Sequence, residues 1–231
     1  MASNTLMRHP SWLFAVFAVF AVFAAPAAAD DLDACTRGAV DAVQKRYEAV
    51  VDLHAEFEQT SRSRLLGGAA SQTRSAGEVV FAKPGKMRWS YTEPEPSLVV
   101  SDGNWLWIYD PGAGEAQKLP VTDGAMSGAA VQFLLGEGEI ELVFRVVRDA
   151  CSETSANLTL WPREPASYEK LRIETDPRSG DLLATEITDL LGNVTRITFR
   201  EIRTNQGAAP ALFTFTPPEG VETIELAPPA P

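Results

Sequence analysis

The chain has 231 residues and carries 31 acidic against 20 basic side chains, which gives a formal net charge of −11 at pH 7. This acidic balance argues against nucleic acid and against anionic membrane surfaces as partners, because both bind through basic patches. The length allows one large or two small domains, and we find no linker-like stretch or internal repeat that would divide the chain.

The first 29 residues are typical of a secretory signal peptide. Arg8 and His9 form a weakly basic start, an uncharged apolar stretch follows, and Ala27 and Ala29 supply the small residues of a cleavage site. We therefore predict cleavage after Ala29, export of the protein, and a single folded domain over residues 30–231.

Two other interpretations compete with a cleaved signal peptide. The apolar run Ser11–Ala29 is just long enough to remain as a membrane anchor, although the small-residue site and the acidic residues behind it favour cleavage. The residues before Cys35 also resemble a lipoprotein cleavage box. Asp30, Asp31 and Asp33 separate that cysteine from the apolar stretch, which argues against lipidation.

The sequence has two cysteines, Cys35 and Cys151, and both lie in the exported part. In an oxidising compartment such a pair usually forms a disulfide. Because it would close a long loop, the bond would stabilise the fold by roughly 4 kcal/mol. The alternative is a pair of free, buried thiols.

An amphipathic helix is predicted from about Asp33 to Asp52, because apolar residues recur there at helical spacing. These residues are Val40, Val43, Tyr47, Val50 and Val51. Alternating apolar residues then indicate a first strand beginning near Leu53. Further on, the predicted strands include Gly77–Ala82 and Met87–Thr92, and turn signals at regular spacing favour a sheet of antiparallel strands.

The segment Ser97–Pro111 predicts a β-hairpin, because the turn sequence SDGN separates two apolar runs. In its second strand, Leu106 and Ile108 lie on one face, while Trp107 and Tyr109 lie on the other. Both faces of this strand are therefore apolar. Alternation alone leaves open which face points inward.

A short second helix is predicted between Thr122 and Glu139, where glycines follow a stripe of apolar residues at helical spacing. The residues of this stripe are Met126, Ala130, Phe133 and Leu134. The sequence thus predicts one large sheet, an N-terminal helix and a short apolar helix inserted midway.

Four segments occur in a characteristic order and spacing: FEQTSRS after the amphipathic helix, GEVVFAKPGKMRW, VSDGNWLWIYDP and LFTFTPPEGV. Together they resemble the LolA family, the periplasmic carriers that move lipoproteins to the outer membrane. The resemblance covers essentially all of residues 30–231. Each segment alone is a weak signal, but four in order are specific.

The resemblance implies a mainly β fold with helices (α+β): a single curled antiparallel sheet that forms an unclosed β-barrel of about eleven strands. The N-terminal helix and a short lid helix would cover an apolar cavity. The protein would take acylated lipoproteins from an inner-membrane ABC transporter and pass them, through the periplasm, to an outer-membrane lipoprotein receptor. It would act as a monomer without a cofactor or metal.

We expect the lipid-binding cavity to be lined by residues from the second and third strands and from the lid helix. Met87, Trp89 and Tyr91 share one strand face. Met87 occupies the position where the family carries an apolar residue near the rim, and a core methionine under a hairpin is the alternative. For Trp89 and Tyr91 the alternative is packing against the N-terminal helix, and for the lid helix it is a plain buried stripe. The expected cavity residues are Val79, Phe81, Met87, Trp89, Tyr91, Met126, Phe133 and Leu134.

Lys83 occupies the position before the proline where the family carries a basic residue, usually Arg. In the family, the hydrogen bonds of this residue to backbone of the lid region help to hold the empty carrier closed. Lysine offers three donors on a flexible stem but lacks the planar fork of arginine. The resemblance therefore implies a latch at the cavity mouth, with an ordinary solvated lysine as the alternative.

Nothing in the sequence indicates an enzyme. His54 is the one histidine left after cleavage, and no nucleophile, metal or phosphate-binding motif accompanies it. We therefore expect no catalytic residues and no metal site. The alternative function lies within the same fold: a periplasmic lipid- or lipoprotein-binding sensor that regulates another protein.

Overall fold

The computed structural model describes residues 32–66, 72–121 and 139–226. The helices are α1 (Ala34–Ala49) and α2 (Ile140–Val143), and a 3₁₀ turn covers Pro210–Phe213. The strands are β1 (Asp52–Arg62), β2 (Gln72–Ala82), β3 (Lys86–Glu93), β4 (Ser97–Asp102), β5 (Trp105–Asp110), β6 (Glu115–Pro120), β7 (Phe144–Cys151), β8 (Ala156–Pro162), β9 (Tyr168–Thr175), β10 (Leu182–Asp189), β11 (Val194–Thr204) and β12 (Glu222–Glu225).

All twelve described strands belong to one curled sheet, in the order β12-β6-β5-β4-β3-β2-β1-β11-β10-β9-β8-β7. The sheet is unclosed, because β12 and β7 form its two edges. This architecture confirms the predicted fold class of a single curled sheet with helices.

One pairing differs from the expected antiparallel pattern. β12 runs parallel to β6, whereas the other paired strands are antiparallel. A parallel neighbour requires a long connection, since the chain must return to the same end of the sheet before it pairs. The chain between β6 and β12 contains β7 to β11 and the 3₁₀ turn, so the connection is long, and β12 adds a strand to the roughly eleven that the resemblance implied.

The helix α1 begins one residue after the predicted start and ends three residues before the predicted end. Asp33 caps it, because its carboxylate accepts hydrogen bonds from the backbone N–H groups of Cys35 and Thr36. Its buried face comprises Thr36, Ala39, Val40, Val43 and Tyr47. Val50 is already extended, so the chain turns directly into β1.

The inner face of the sheet, which we define as the face that packs against α1, carries the hydrophobic core. Alternate residues of the strands point into it, as the pleat requires. Its central members are Leu53, Phe57, Val79, Phe81, Met87, Trp89, Leu106, Leu158, Leu160, Leu171 and Ile173. Tyr47 joins α1 to this core, and its hydroxyl accepts the backbone N–H of Leu182 at 3.2 Å.

The predicted hairpin is present as β4 and β5, and the structure decides which face of β5 points inward. Leu106 pairs with Ser101, which pairs with Met87, so Leu106 belongs to the inner face. Trp107 and Tyr109 lie on the outer face. Their rings pack against Phe215, at centroid distances of 5.5 and 5.2 Å, so the C-terminal segment covers this second apolar face.

The helix predicted between Thr122 and Glu139 falls on residues that the structure does not describe. The expectations for Met126, Phe133 and Leu134 therefore lie outside the described residues, as does the predicted signal peptide. In the described ranges, no helix combines the length and the apolar character needed to cross a membrane.

Candidate functional site

An aromatic cluster forms the centre of the inner face. The ring of Trp89 meets Phe57 and Phe81 edge-on, at centroid distances of 4.8 and 5.6 Å. Tyr91 meets Phe57 in the same manner at 5.1 Å. Edge-to-face pairs of this kind add to the burial energy of each ring and fix the ring orientations. Three residues that the sequence predicted for the cavity thus belong to one cluster with Phe57.

The predicted cavity residues of β2 and β3 share the inner face but differ in depth. Val79 is fully buried, Phe81 is 2% exposed, and Met87 and Trp89 are 6% and 7% exposed. Met87 is therefore a core residue, rather than one at the rim. Tyr91 is half-buried, its hydroxyl donates to the Gln59 side chain at 3.3 Å, and burial raises the pKa of this hydroxyl.

A partly exposed apolar strip continues the inner face beyond the aromatic cluster. Ile108 is 38% exposed and pairs with Val99, which pairs with Trp89. Val99 and Leu119 are partly buried against the core. We define the inner-face strip as Tyr91, Val99, Ile108 and Leu119. Sequence patterns did not single out Val99, Ile108 and Leu119, and for Ile108 the reason is that its strand is apolar on both faces.

Lys83 connects the β2–β3 turn to the C-terminal end of α1. Its ammonium group donates to the backbone carbonyls of Tyr47 and Glu48, and its backbone N–H donates to the carbonyl of Val51 at 2.9 Å. A cation at this end of a helix satisfies carbonyls that have no partner within the helix. Burial lowers the pKa of Lys83, whereas the nearby Glu48 opposes this shift.

Asn205 secures the same end of α1 from the end of β11. Its side chain accepts the backbone N–H of Val51 at 2.7 Å and donates to the carbonyl of Ala49 at 3.1 Å. The residue has a φ of 59°, a left-handed conformation that asparagine tolerates better than most residues. Sequence patterns could not identify this residue, since its partners lie about 150 positions earlier in the chain.

The other end of α1 is covalently attached to the edge strand β7. Cys35, in the first turn of α1, forms a disulfide with Cys151, the last residue of β7, at a Cα–Cα distance of 6.1 Å. The predicted disulfide is therefore confirmed. Together with Lys83 and Asn205, it anchors α1 to the sheet at both of its ends.

Asp52, at the start of β1, ties this strand to the segment after β11. Its carboxylate accepts the backbone N–H groups of Gln206 and Gly207 at 2.8 and 3.0 Å. Burial pulls the pKa of Asp52 upward, but these hydrogen bonds outweigh it, and the pKa lies below its ordinary value. A lowered pKa means that the carboxylate stabilises the fold above the pKa of the unfolded chain.

We expect Asp52→Asn to lower the free energy of unfolding by about 1–2 kcal/mol at neutral pH, because a charged acceptor of two hydrogen bonds is lost. The difference from wild type should shrink as the pH falls through the folded pKa, since both proteins are then neutral at this position. Urea unfolding at a series of pH values measures it. A difference that stays constant down to the acid limit would contradict this role.

One cleft on the outer face is unsuited to an apolar ligand. It has a volume of about 280 Å³, and half of its lining residues are charged, namely Glu56, Glu58, Glu78 and Arg200. Within the described part of the chain, no cluster of three or more His, Cys, Asp or Glu side chains could hold a metal ion.

The fold and this site define a class of protein: a single unclosed sheet whose inner face is apolar, partly exposed, and covered by a helix held at both ends. The model of the LolA family, described as outer membrane lipoprotein carrier protein LolA, matches residues 48–216. The chain belongs to the LolA family, as the resemblance of its sequence motifs predicted.

The relatives support this membership over most of the chain. An outer-membrane lipoprotein carrier protein of Dechloromonas aromatica is 34% identical over 190 residues, which cover 81% of this chain and 88% of the relative. Another, from Chromobacterium violaceum, is 33% identical over 174 residues, which cover 74% of this chain and 80% of the relative.

Among solved structures, an uncharacterized conserved protein from Thermus thermophilus has the same fold. The two superimpose with a TM-score of 0.50 at 12% sequence identity, covering 82% of this chain and 98% of the other. At this identity, the likeness concerns the fold alone.

Proposed function

We propose that the protein is a periplasmic carrier that binds the acyl chains of lipoproteins released from the inner membrane and delivers them to the outer membrane. An inner-membrane lipoprotein-releasing ABC transporter would supply the lipoprotein, and an outer-membrane receptor would take it. The carrier would act as a monomer and would catalyse no reaction. The names of its relatives support the choice of ligand.

The observation that carries this proposal is the partly exposed inner-face strip next to the buried aromatic cluster. Ile108 leaves 38% of its surface to solvent on the inner face, and the half-buried Tyr91 belongs to both the strip and the cluster. Each methylene group moved from water to such a surface gains about 0.8 kcal/mol. An acyl chain that starts on the strip would extend over Met87 and Trp89 once the covering elements move.

Because Val79, Phe81, Met87 and Trp89 are buried in this structure, we interpret it as the closed form of the carrier. The acyl chain must then compete with contacts inside the protein. This competition lowers the net affinity and allows the ligand to be released again, which a carrier requires. A sensor would instead retain its lipid and signal its presence.

The test is a transfer assay with protein purified from cells that express the full chain. Inner-membrane vesicles containing the transporter and an acylated lipoprotein are incubated with the protein, and the soluble fraction is analysed for a complex. We expect a complex with the acylated lipoprotein and none with a non-acylated variant. Equal recovery of both forms would contradict acyl-chain binding, and a complex that never passes its lipoprotein to outer-membrane vesicles would indicate a sensor.

Lys83 is proposed as the latch that stabilises the closed form through the C-terminal end of α1. We expect Lys83→Met to increase amide hydrogen exchange in the last turn of α1 by about tenfold, because two charge-assisted hydrogen bonds are lost. The measurement is hydrogen exchange followed by mass spectrometry on the empty protein. Lys83→Arg is the matched control, since it keeps a donor cation and should exchange nearly as slowly as wild type.

The same variants separate a latch from a surface lysine. If Lys83→Met leaves both the exchange in α1 and the rate of lipoprotein uptake unchanged, the residue has no latch role. If the latch is real, Lys83→Met should take up lipoprotein faster than wild type, because less free energy is needed to open the protein.

A further inference from the structure

Four leucines are exposed in two neighbouring places, directly after β1 and in the β10–β11 turn. Leu65 and Leu66 follow β1 and are 83% and 58% exposed, and Leu190 and Leu191 form the β10–β11 turn and are each 68% exposed. We define these four residues as the leucine patch. Single exposed apolar residues are common on proteins, whereas several large ones that occur together mark an interaction site.

The described residues after β1 are held against the β10–β11 turn. The end of β1 pairs with the start of β11, where Arg62 lies opposite Val194. Beyond it, the backbone N–H of Arg64 donates to the side chain of Asn193 at 3.0 Å. The Arg64 side chain packs against Gly192, because a Cβ added at Gly192 would lie only 2.8 Å from the Arg64 side chain. Arg64 therefore connects the segment that carries Leu65 and Leu66 to the turn that carries Leu190 and Leu191.

The chemistry of the turn does not require the leucines. The carboxylate of Asp189 accepts the backbone N–H groups of Leu191 and Asn193, at 2.9 and 2.8 Å, and Gly192 supplies a φ of +82°. These polar and glycine residues build the turn, as is common in tight turns. The side chains of Leu190 and Leu191 form no hydrogen bond, and their exposure to water is unfavourable in free energy.

The leucine patch is flanked by positive charge. Arg62 and Arg64 are exposed, and neither forms an ion pair with another described residue. The one carboxylate in the adjoining turn, that of Asp189, is already engaged by three hydrogen bonds within the turn. Arginine side chains bind phosphate groups through paired N–H donors.

We propose that the leucine patch docks the protein on the headgroup layer of a phospholipid membrane. The leucines would enter the boundary between headgroups and acyl chains, and Arg62 and Arg64 would bind lipid phosphates. Exposed aliphatic side chains suit a fluid layer, whereas a protein partner would need a matching groove and usually meets aromatic anchors, which this patch lacks. This docking is independent of acyl-chain transport, so either proposal can fail alone.

The negative net charge of the chain is compatible with this local contact. At physiological ionic strength, interactions between exposed charges fade over about 8 Å, so acidic residues elsewhere on the surface hardly change the electrostatic potential at the leucine patch. The expectation from composition, that anionic membranes are excluded, therefore applies to a broad electrostatic surface and not to an apolar contact supported by two arginines.

The test is flotation of the folded protein with vesicles of phosphatidylcholine and phosphatidylglycerol, after its N-terminus has been determined by mass spectrometry. We expect wild type to float with the vesicles at physiological salt. Replacing all four leucines of the patch by serine should reduce the partition coefficient about tenfold or more, because the inserted apolar surface is lost. Val51→Ser is the matched control, since Val51 is 61% exposed at the opposite end of β1.

Each outcome decides the proposal. Arg62→Gln with Arg64→Gln should weaken binding more on vesicles that contain phosphatidylglycerol, and every variant should keep the wild-type melting temperature because its substitutions are exposed. Absence of vesicle binding by wild type overturns the proposal, as does equal loss by Val51→Ser. If the leucine variants bind vesicles normally but lose binding to the purified transporter, the patch is a protein-docking surface and the lipid assignment is wrong.

Discussion

Replacing Cys35 and Cys151 together by serine is expected to lower the free energy of unfolding by about 4 kcal/mol. The bond joins residues 116 positions apart, so its loss frees a long loop in the unfolded chain. The same substitution detaches the first turn of α1 from β7. Urea unfolding of the wild-type and double-variant proteins, monitored by tryptophan fluorescence, measures the difference.

Reduced wild type is the internal control for this experiment. With a thiol reductant present, wild type and the double variant should unfold at nearly the same urea concentration, since both then lack the bond. The single variants should resemble the double variant under both conditions. A difference below about 1 kcal/mol between oxidised and reduced wild type would mean that the bond constrains the unfolded chain far less than the loop-entropy account requires.

The anchoring of α1 also limits how the inner face can open. The disulfide fixes its N-terminal end to β7, while Lys83 and Asn205 hold its C-terminal end through backbone carbonyls. The hydrogen bonds are the weaker attachment, because each contributes about 1 kcal/mol and exchanges readily with water. We therefore expect α1 to detach first at the end near Lys83, so that this end controls access to the acyl-binding surface.

The sequence predicted the parts of this protein that depend on local periodicity. Alternation located β2, β3 and the hairpin of β4 and β5, and helical spacing located α1 to within three residues at either end. The face shared by Met87, Trp89 and Tyr91 followed from the pleat alone. The disulfide followed from the number of cysteines and the predicted compartment.

What the sequence could not predict depends on contacts between distant segments. Trp107 and Ile108 are both large and apolar, and only the pairing of their strand with β4, with Phe215 packed on the opposite face, shows that Ile108 lies on the inner side. The depth of Met87 likewise depends on neighbours from several strands. In the sequence, Asn205 looks like an ordinary turn residue, and its role follows only from the end of α1 that lies beside it.

These two residues, Ile108 and Met87, should respond in opposite ways to an introduced charge. Ile108→Glu places a carboxylate on the partly exposed strip, where water can hydrate it, so the melting temperature should change little. The same charge would have to be desolvated under a bound acyl chain, which costs several kcal/mol. We therefore expect the recovery of soluble lipoprotein complex to fall about tenfold or more in the transfer assay.

Trp105→Glu is the matched control for that loss, because Trp105 lies on the outer face of the same strand and is 39% exposed. It should transfer lipoprotein normally.

Met87→Glu, by contrast, buries an unpaired carboxylate in the core and should lower the free energy of unfolding by about 3 kcal/mol or more, whereas Met87→Leu should cost under about 1.5 kcal/mol. If Ile108→Glu and Trp105→Glu transfer equally well, the acyl chains bind elsewhere than on the inner-face strip. If Ile108→Glu unfolds the protein as Met87→Glu does, Ile108 belongs to the core, and the strip is not an entry to it.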